Sequence, residues 1–414
     1  VTALEAPSDR PSPDPGSHTI DIAPLLRRLA GLPSVADRYL PFLATGRSVT
    51  LSELPLLSKS DLELVFPELL QQIRQNDTSA YLYASGGTTS APKLSLIPAD
   101  MFVPDILTQW RPLSSNDVIA NIYSPGRLWS SHNFFNAVAA ESGAICLAFG
   151  SLDDKEVPQW LEFFEQRGVT ALDGTASQIA QLLEACARSG HRPPQFINKL
   201  LWTGEAFDEH TDRLVRELLP EADRYGVYGS TETWVVGHSG PSCSTNVFHT
   251  LPYQRVELVG GEIVITNIHP QAINPLLRYR IGDRGEHVDC GCGATTPGLR
   301  VLGRADTQIK FRSVLLTAEE LVATAEADPA VRRAQVILLD HGAAEERLIV
   351  SVIAATNAPE DLTDTLRAQI LSEVYRLASA TASDPASFTI EIVSRLELNP
   401  RTHKTPILVS RPSK

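Results

Sequence analysis

Between Asp117 and Tyr228, short apolar, β-rich runs alternate with longer stretches of helical periodicity, and few folds accommodate that alternation. Val118 to Tyr123, Ala144 to Phe149, Val169 to Leu172 and Lys199 to Trp202 read as strands. The segments around Trp160 to Gln166, Ser177 to Ala187 and Glu209 to Leu219 read as helices between them. Strands joined through helices of this length pair in parallel through right-handed crossovers, so the middle of the chain predicts an α/β fold with a parallel βαβ sheet. Such sheets bind ligands beyond the carboxyl ends of their strands.

The rhythm changes on either side. From Ile20 to Pro67 the pattern is helical and leucine-rich, with Ser58-Lys-Ser-Asp61 predicting a helix start before Leu62. Val256 to Thr266, split by Gly260-Gly261, reads as a hairpin and marks a change to antiparallel structure. After about residue 306, Gln335 to Leu339 and Leu348 to Ala354 read as strands, Leu362 to Leu377 as a helix and Phe388 to Val393 as a final strand, enough for a small α+β module. Residues 1–18 hold four prolines among Ser, Asp and Gly and predict a disordered tail. The expected division is therefore tail 1–18, a large domain over 19–305 and a small one over 306–414.

The 414 residues carry a formal net charge of -13, with no concentrated basic face, which argues against nucleic acid or an anionic membrane as partner. No run approaches the eighteen or so apolar residues of a membrane span, and the beginning of the sequence lacks the pattern of a signal peptide, so the expected location is cytoplasmic. Five cysteines, an odd count in a chain this long, do not predict a disulfide framework.

Four segments carry chemistry. Ser85-Gly-Gly-Thr-Thr-Ser-Ala-Pro-Lys93 combines glycines that let bare N–H groups approach an anion with hydroxyls and one ammonium, a combination suited to a polyphosphate such as ATP. Its spacing is not that of a P-loop, since no glycine precedes Lys93 and no Ser or Thr follows it. A surface turn is the alternative. Tyr225-Gly-Val-Tyr-Gly-Ser-Thr-Glu232 follows a predicted strand; Tyr228 offers a flat face for a base, Thr231 a hydroxyl for a phosphate and Glu232 a hard oxygen for Mg²⁺, against the alternative of a glycine-kinked turn. Tyr279-Arg-Ile-Gly-Asp283 offers a carboxylate to two ribose hydroxyls, and Gly303-Arg-Ala-Asp306 lies at the composition change; an exposed pair beside a turn and a polar linker are the respective alternatives.

Taken in this order, the segments make the chain resemble the adenylate-forming superfamily of acyl-CoA synthetases, peptide-synthetase adenylation domains and luciferase, from Ser85 to the C-terminus. Trp202-Thr-Gly-Glu-Ala206 and the short length look most like its phenylacetate-CoA ligase branch. The resemblance implies a large N-terminal ATP- and acid-binding domain, with a parallel sheet plus an antiparallel subdomain, and a small mobile C-terminal lid. It implies that Ser85, Gly86, Gly87, Thr88, Thr89 and Lys93 hold phosphates and that Gly204 and Glu205 border an adenine on which Tyr228 stacks. Thr231 would contact the α-phosphate, Glu232 would ligate Mg²⁺, Asp283 would bind the ribose and Arg304 would support ribose or phosphate. Asp306 would be the hinge and Lys404 the lid lysine bridging carboxylate and α-phosphate. The chain departs from the family pattern in having His403 before Lys404 and Ser313 after Arg312, where glycine is usual.

The activity implied is that of a carboxylic acid ligase, which joins an aryl or other compact acid to AMP from ATP and passes the acyl group to CoA, a carrier-protein thiol or an amine. A nucleotide-binding sensor or scaffold of the same fold, without catalysis, is the alternative. The acid pocket is expected from Trp129, His132, Asn133, Phe134, Val227, Trp234 and Gly237, an aromatic lining with few polar groups. Finally, Cys243, His249, Cys290 and Cys292 are either the four ligands of a structural Zn²⁺, as in some phenylacetate-CoA ligase relatives, or free thiols beside a histidine.

Overall fold

The structure is a computed structural model that describes residues 21–45, 48–76, 78–84, 94–153, 155–294, 296–305, 308–312, 314–343, 345–399 and 404–413. It opens with three helices, α1 (Ala23–Ala30), α2 (Ala36–Ala44) and α3 (Lys59–Gln75). Ser58 and Asp61 form a reciprocal capping box at the start of α3, where the sequence predicts one. The helix does not stop at Pro67, as the pattern suggests; Leu69, Leu70 and Ile73 prolong its apolar stripe into the same core as Leu26 and Tyr39. Packing along that stripe outweighs the hydrogen bond that proline removes. A hairpin of β1 (Ala80–Ala84) and β2 (Leu94–Pro98) follows, then the short α4 (Val103–Gln109).

The expected alternation is present. Strands β3 (Val118–Asn121), β4 (Ile145–Ala148), β5 (Ala171–Gly174), β6 (Lys199–Thr203) and β7 (Asp223–Ser230) pair in parallel, connected by α5 (Ser131–Glu141), α6 (Val157–Arg167), α7 (Ala176–Ser189) and α8 (Glu209–Leu218). Successive side chains point to opposite faces. Ile119, Ala171, Leu201 and Val227 face α4 and α5, whereas Ala120, Leu172, Leu200 and Trp202 face α6 and α7. Both faces are therefore apolar and buried, as parallel sheets require.

The antiparallel part is continuous with this sheet. Strands β8 (Trp234–His238), β9 (Val247–Thr250), β10 (Gln254–Val259), β11 (Glu262–Asn267), β12 (Tyr279–Val288) and β13 (Gly298–Arg304) complete an eleven-stranded sheet in the order β10-β11-β12-β13-β9-β8-β7-β6-β5-β3-β4. The Tyr225–Glu232 segment differs from the turn read as its alternative. Its first six residues belong to β7, and the turn to β8 falls at Thr231–Thr233. Gly229 is forced there, since an added Cβ would stand 1.9 Å from the Trp234 carbonyl oxygen.

A second core is built from β14 (Gln308–Phe311), β15 (Val314–Thr317), α9 (Ala318–Glu326), β16 (Val331–Leu339), β17 (Arg347–Ala354), α10 (Leu362–Glu373), α11 (Tyr375–Thr381), β18 (Phe388–Ile392) and β19 (Leu408–Arg411). The single helix expected over Leu362–Leu377 is two, separated at Val374, whose ψ of 68° is not helical. Nor is β18 final. The Ile-Leu-Val run after Pro406 forms β19, which pairs in parallel with β16 and closes a four-stranded sheet in the order β18-β17-β16-β19. Among the described residues no helix is long and apolar enough to cross a membrane.

Candidate active site

The site lies at the carboxyl ends of the parallel strands. After β6 the chain turns through Gly204, whose φ of +92° favours glycine. Lys404 reaches this turn from the C-terminal core, and its Nζ donates to the Gly204 carbonyl at 2.6 Å. A side chain at 204 would collide with that ammonium, a Cβ lying 2.4 Å from Nζ. Nζ also stands 5.5 Å from the centre of the Trp129 ring, within cation–π range. Desolvation lowers the Lys404 pKa and the nearby Glu205 carboxylate opposes the shift. Glu205 itself accepts from the Ser177 N–H at 2.5 Å, in the first turn of α7, where the helix dipole favours a negative charge.

What holds Lys404 there was not legible beforehand. Gln335, fully buried on β16, donates to the Glu397 carbonyl at 3.0 Å and the Pro406 carbonyl at 2.6 Å and accepts from the Glu397 N–H at 2.9 Å. One amide thus clamps both ends of the strap that bears Lys404. Ser177 Oγ then donates to Thr405 Oγ1 at 3.2 Å, and Arg333 pairs with Asp208 at 3.0 Å, so that with the Lys404–Gly204 bond these polar contacts join the two cores. A glutamine leading into the apolar run Val336 to Leu339 is the sequence signal that could have pointed to this clamp.

On the antiparallel side, Tyr228 donates its hydroxyl to Asp283 Oδ2 at 2.7 Å, and Arg304 donates to Asp283 Oδ1 at 3.1 Å. The Tyr228 ring is buried against Phe248, with centroids 5.5 Å apart, and burial together with the Asp283 charge raises its hydroxyl pKa well above the ordinary value. Glu232 is buried in the β7–β8 turn beside Thr231, held through its carbonyl by Asn274 at 3.0 Å. The Tyr279 hydroxyl is buried near the Glu232 carboxylate without completing a hydrogen bond to it; burial first, and then that charge, raise its pKa.

Four of the residues expected around an acid share one apolar cluster: Trp129, Phe134, Val227 and Trp234, with Tyr83, Tyr123 and Phe135. Trp234 stacks on Tyr83 at 5.8 Å and meets Phe134 edge-on at 5.6 Å. Its φ of +59° is rare for a bulky residue and is held by the Nε1–H bond to the Met101 carbonyl at 2.8 Å. Asn133 donates to the Tyr83 hydroxyl at 3.3 Å at the margin of this cluster, and His132 Nδ1–H donates to the Tyr123 carbonyl at 2.8 Å. Gly237 stands apart, in β8, where a Cβ would lie 2.8 Å from the His249 carbonyl of β9. The expected phosphate loop, Ser85, Gly86, Gly87, Thr88, Thr89 and Lys93, lies outside the described residues, as do Asp306, Ser313 and His403. The loop's two stems, Ala84 and Leu94, are described and pair with each other.

The cysteines and histidine converge. One ligand atom from each of Cys243, His249, Cys290 and Cys292 lies within 4.8 Å of all the others. Four ligands around one Zn²⁺ at Zn–S distances of about 2.3 Å are separated by somewhat less than 4 Å, so modest closure completes a tetrahedron. Cys292 Sγ is 3.1 Å from His249 Nε2, and His249 Nδ1 is buried with no partner among the described residues. Burial, reinforced by Cys290 and Cys292, pushes the Cys243 thiol up to about 12, whereas the Ala294 N–H draws Cys292 below its usual value.

An ammonium, buried carboxylates and an aromatic cluster thus lie around the strand termini, where sheets of this kind bind ligands. Residues 37–268 match the family model described as AMP-binding enzyme, and the chain belongs to that family, within the adenylate-forming superfamily. It is similar to the indoleacetate–lysine synthetase of Pseudomonas savastanoi, 27% identical over 168 residues that make up 40% of this chain and 42% of that protein. It is also similar to the vanchrobactin synthetase VabF of Vibrio anguillarum, 24% identical over 79% of this chain and 13% of that protein. The chain thus spans less than half the length of either curated relative. Among solved structures, 2-hydroxyisobutyryl-CoA ligase in its postadenylation state shares the fold at a TM-score of 0.65 and 16% identity, covering 94% of this chain and 85% of that one.

Proposed function

We propose that this protein uses ATP and Mg²⁺ to convert a carboxylic acid to its acyl-adenylate, releasing pyrophosphate, and then passes the acyl group to an amine. The observation that carries this reading is Lys404, delivered from the C-terminal core to the Gly204 carbonyl at 2.6 Å beside the aromatic cluster. A carboxylate attacking an α-phosphate brings two anions together, so the catalyst must supply positive charge and donors where negative charge accumulates. Lys404 Nζ exchanges the Gly204 carbonyl for the acid's carboxylate and an α-phosphate oxygen, and the Thr231 hydroxyl donates to the same phosphate. Tyr228 packs against the adenine, Gly204 and Glu205 border it, and Asp283, fixed by Tyr228 and Arg304, accepts from the ribose hydroxyls. Residues 85–93 take the β- and γ-phosphates. The buried Glu232 carboxylate, beside a Tyr279 hydroxyl with no partner among the described residues, suits Mg²⁺, which when bound neutralises phosphate charge.

The C-terminal core acts as a lid over residues 306–414, hinged at Asp306, with Gln335 keeping Lys404 in reach when it closes. An amine acceptor is favoured by the relative named for indoleacetate and lysine, an acid and an amine. A CoA or carrier-protein thiol is the second reading, favoured by the shared fold of a CoA ligase. Zn²⁺ at Cys243, His249, Cys290 and Cys292 is structural, since four protein ligands leave no open position.

Acid-dependent exchange of labelled pyrophosphate into ATP tests the first half-reaction across aryl, amino and aliphatic acids. No exchange with any acid, while ATP still binds, would replace this reading with a nucleotide-binding sensor or scaffold. Metal analysis should return one zinc per chain; protein without zinc, together with a Cys243→Ala variant of unchanged melting temperature, removes the metal proposal.

A further inference from the structure

Asp173 is fully buried on β5, and neither of its carboxylate oxygens has a hydrogen-bond partner among the described residues. Its position is set by the sheet: in register it stands between Asn121 of β3 and Leu201 of β6. It points to the same face as Ala171 and Leu201, the face occupied by Trp129, Phe134 and Val227.

The donors of Asn121, Cys146 and Tyr123 beside it are engaged elsewhere. Asn121 Nδ2 donates to the His132 carbonyl at 2.9 Å and to Asn136 Oδ1 at 2.8 Å. The Cys146 thiol donates to the same Asn136 oxygen at 3.2 Å, and the Tyr123 hydroxyl donates to the Gly174 carbonyl at 2.7 Å while accepting from the Thr203 N–H at 2.7 Å. The Ile122 N–H is committed to the Asp173 carbonyl at 3.0 Å. Burial raises the Asp173 carboxyl well above the carboxylate range, opposed only by the N–H groups of Ile122 and Asp173 itself; no basic side chain contributes. A buried acid without side-chain donor or countercharge among the described residues is a site where a cationic ligand can supply both.

We propose that Asp173 is the specificity-determining residue at the floor of the acid pocket and that it receives an ammonium group at the far end of the substrate. This rests on the adenylation reading and names its substrate class: acids carrying a distal primary amine. Distal follows from the register. Asp173 is level with Leu201, three residues before Gly204, which at strand rise places it on the order of 10 Å from the Lys404 contact, too deep for an α-amino group.

The test uses two isosteric pairs, 6-aminohexanoate against heptanoate and 4-(aminomethyl)benzoate against 4-ethylbenzoate, on the full chain and on Asp173→Asn. In thermal shift assays, millimolar amino acid should raise the wild-type melting temperature clearly above the effect of its isostere, and the difference should vanish in the variant. In pyrophosphate exchange the wild type should prefer the amine at least tenfold in kcat/KM, and Asp173→Asn should lose at least tenfold of that preference. Equal stabilisation of the wild type by both members of each pair overturns the proposal, whether or not exchange occurs. So does a preference that survives in Asp173→Asn. Selective stabilisation without exchange for any acid upholds the proposed recognition and defeats adenylation instead. Should Asp173→Asn fail to fold, the wild-type comparison still decides.

Discussion

Two buried aspartates sit at opposite ends of the parallel sheet and have opposite surroundings. Asp117, just before β3, accepts from Lys199 Nζ at 2.8 Å, from the Ser114 N–H and hydroxyl, and from the Thr170 hydroxyl. Burial alone would raise its pKa, but Lys199 and those donors hold it below the ordinary value. Asp173, at the carboxyl end of β5, has no such partners and is shifted the other way. At the amino-terminal edge of the sheet, Asp117 is thus answered from within the chain. The carboxyl-terminal edge is left unanswered where a ligand is expected.

The sharpest way to break that contrast is at Lys404. If the carboxyl edge serves chemistry, Lys404→Ala should lower acid-dependent pyrophosphate exchange by about 10²–10³-fold or more, with the melting temperature unchanged. Wild-type exchange in the variant would remove Lys404 from the reaction.

At the amino edge the expected loss is in stability. Asp117→Ala leaves the half-buried Lys199 without its partner and should cost about 3 kcal/mol, read as a fall of several degrees in melting temperature while KM for ATP holds. Because the folded pKa of Asp117 is depressed, this contribution is present above the unfolded value of 3.8 and is lost as pH falls through the folded one. The two proteins should therefore converge in acid.

Asp173 predicts the reverse sign. Its raised pKa means that the unfolded chain releases a proton above 3.8 while the native state retains it, so stability declines as pH rises from there toward the folded value. Without ligand, Asp173→Asn should melt above the wild type at pH 8, by about 1–3 kcal/mol, and the gain should shrink toward pH 4. A variant less stable at pH 8 would mean that the carboxylate is satisfied internally after all.

The smallest effect is expected at the contact between the cores. Arg333→Ala removes a partly exposed pair with Asp208 and should cost less than about 1 kcal/mol, seen as a few-fold loss of exchange with normal ATP binding. A loss as large as that of Lys404→Ala would show that Arg333 does more than hold the two cores together.

Much of this architecture was legible beforehand because local chemistry announces it. The Ser58–Asp61 box, the alternation from β3 to β7 and the Gly260–Gly261 hairpin each follow from periodicity and turn residues within a few positions. The four possible zinc ligands were also visible as a set, and the fold brings them together. The failures share a different character. The extent of α3 beyond Pro67, the break at Val374 and the last strand β19 depend on what each segment packs against, which a local pattern does not report. Asp173 and Gln335 were missed because a single polar residue in an apolar run looks the same whether it is answered, orphaned or holding a distant strap.

The sequence by itself determined the periodicities, hence the parallel sheet and its active edge, and the ordered motifs that place the chain in its family. Only the tertiary structure decided which of its polar groups find partners. Lys404 meets Gly204 because β19 pairs with β16 and Gln335 ties down the strap between them; the Asp173 carboxylate meets no side-chain donor among the described residues because Asn121, Cys146 and Tyr123 are engaged elsewhere. Hydrogen bonding and desolvation act over a few ångströms of space, whereas the residues concerned are far apart along the chain.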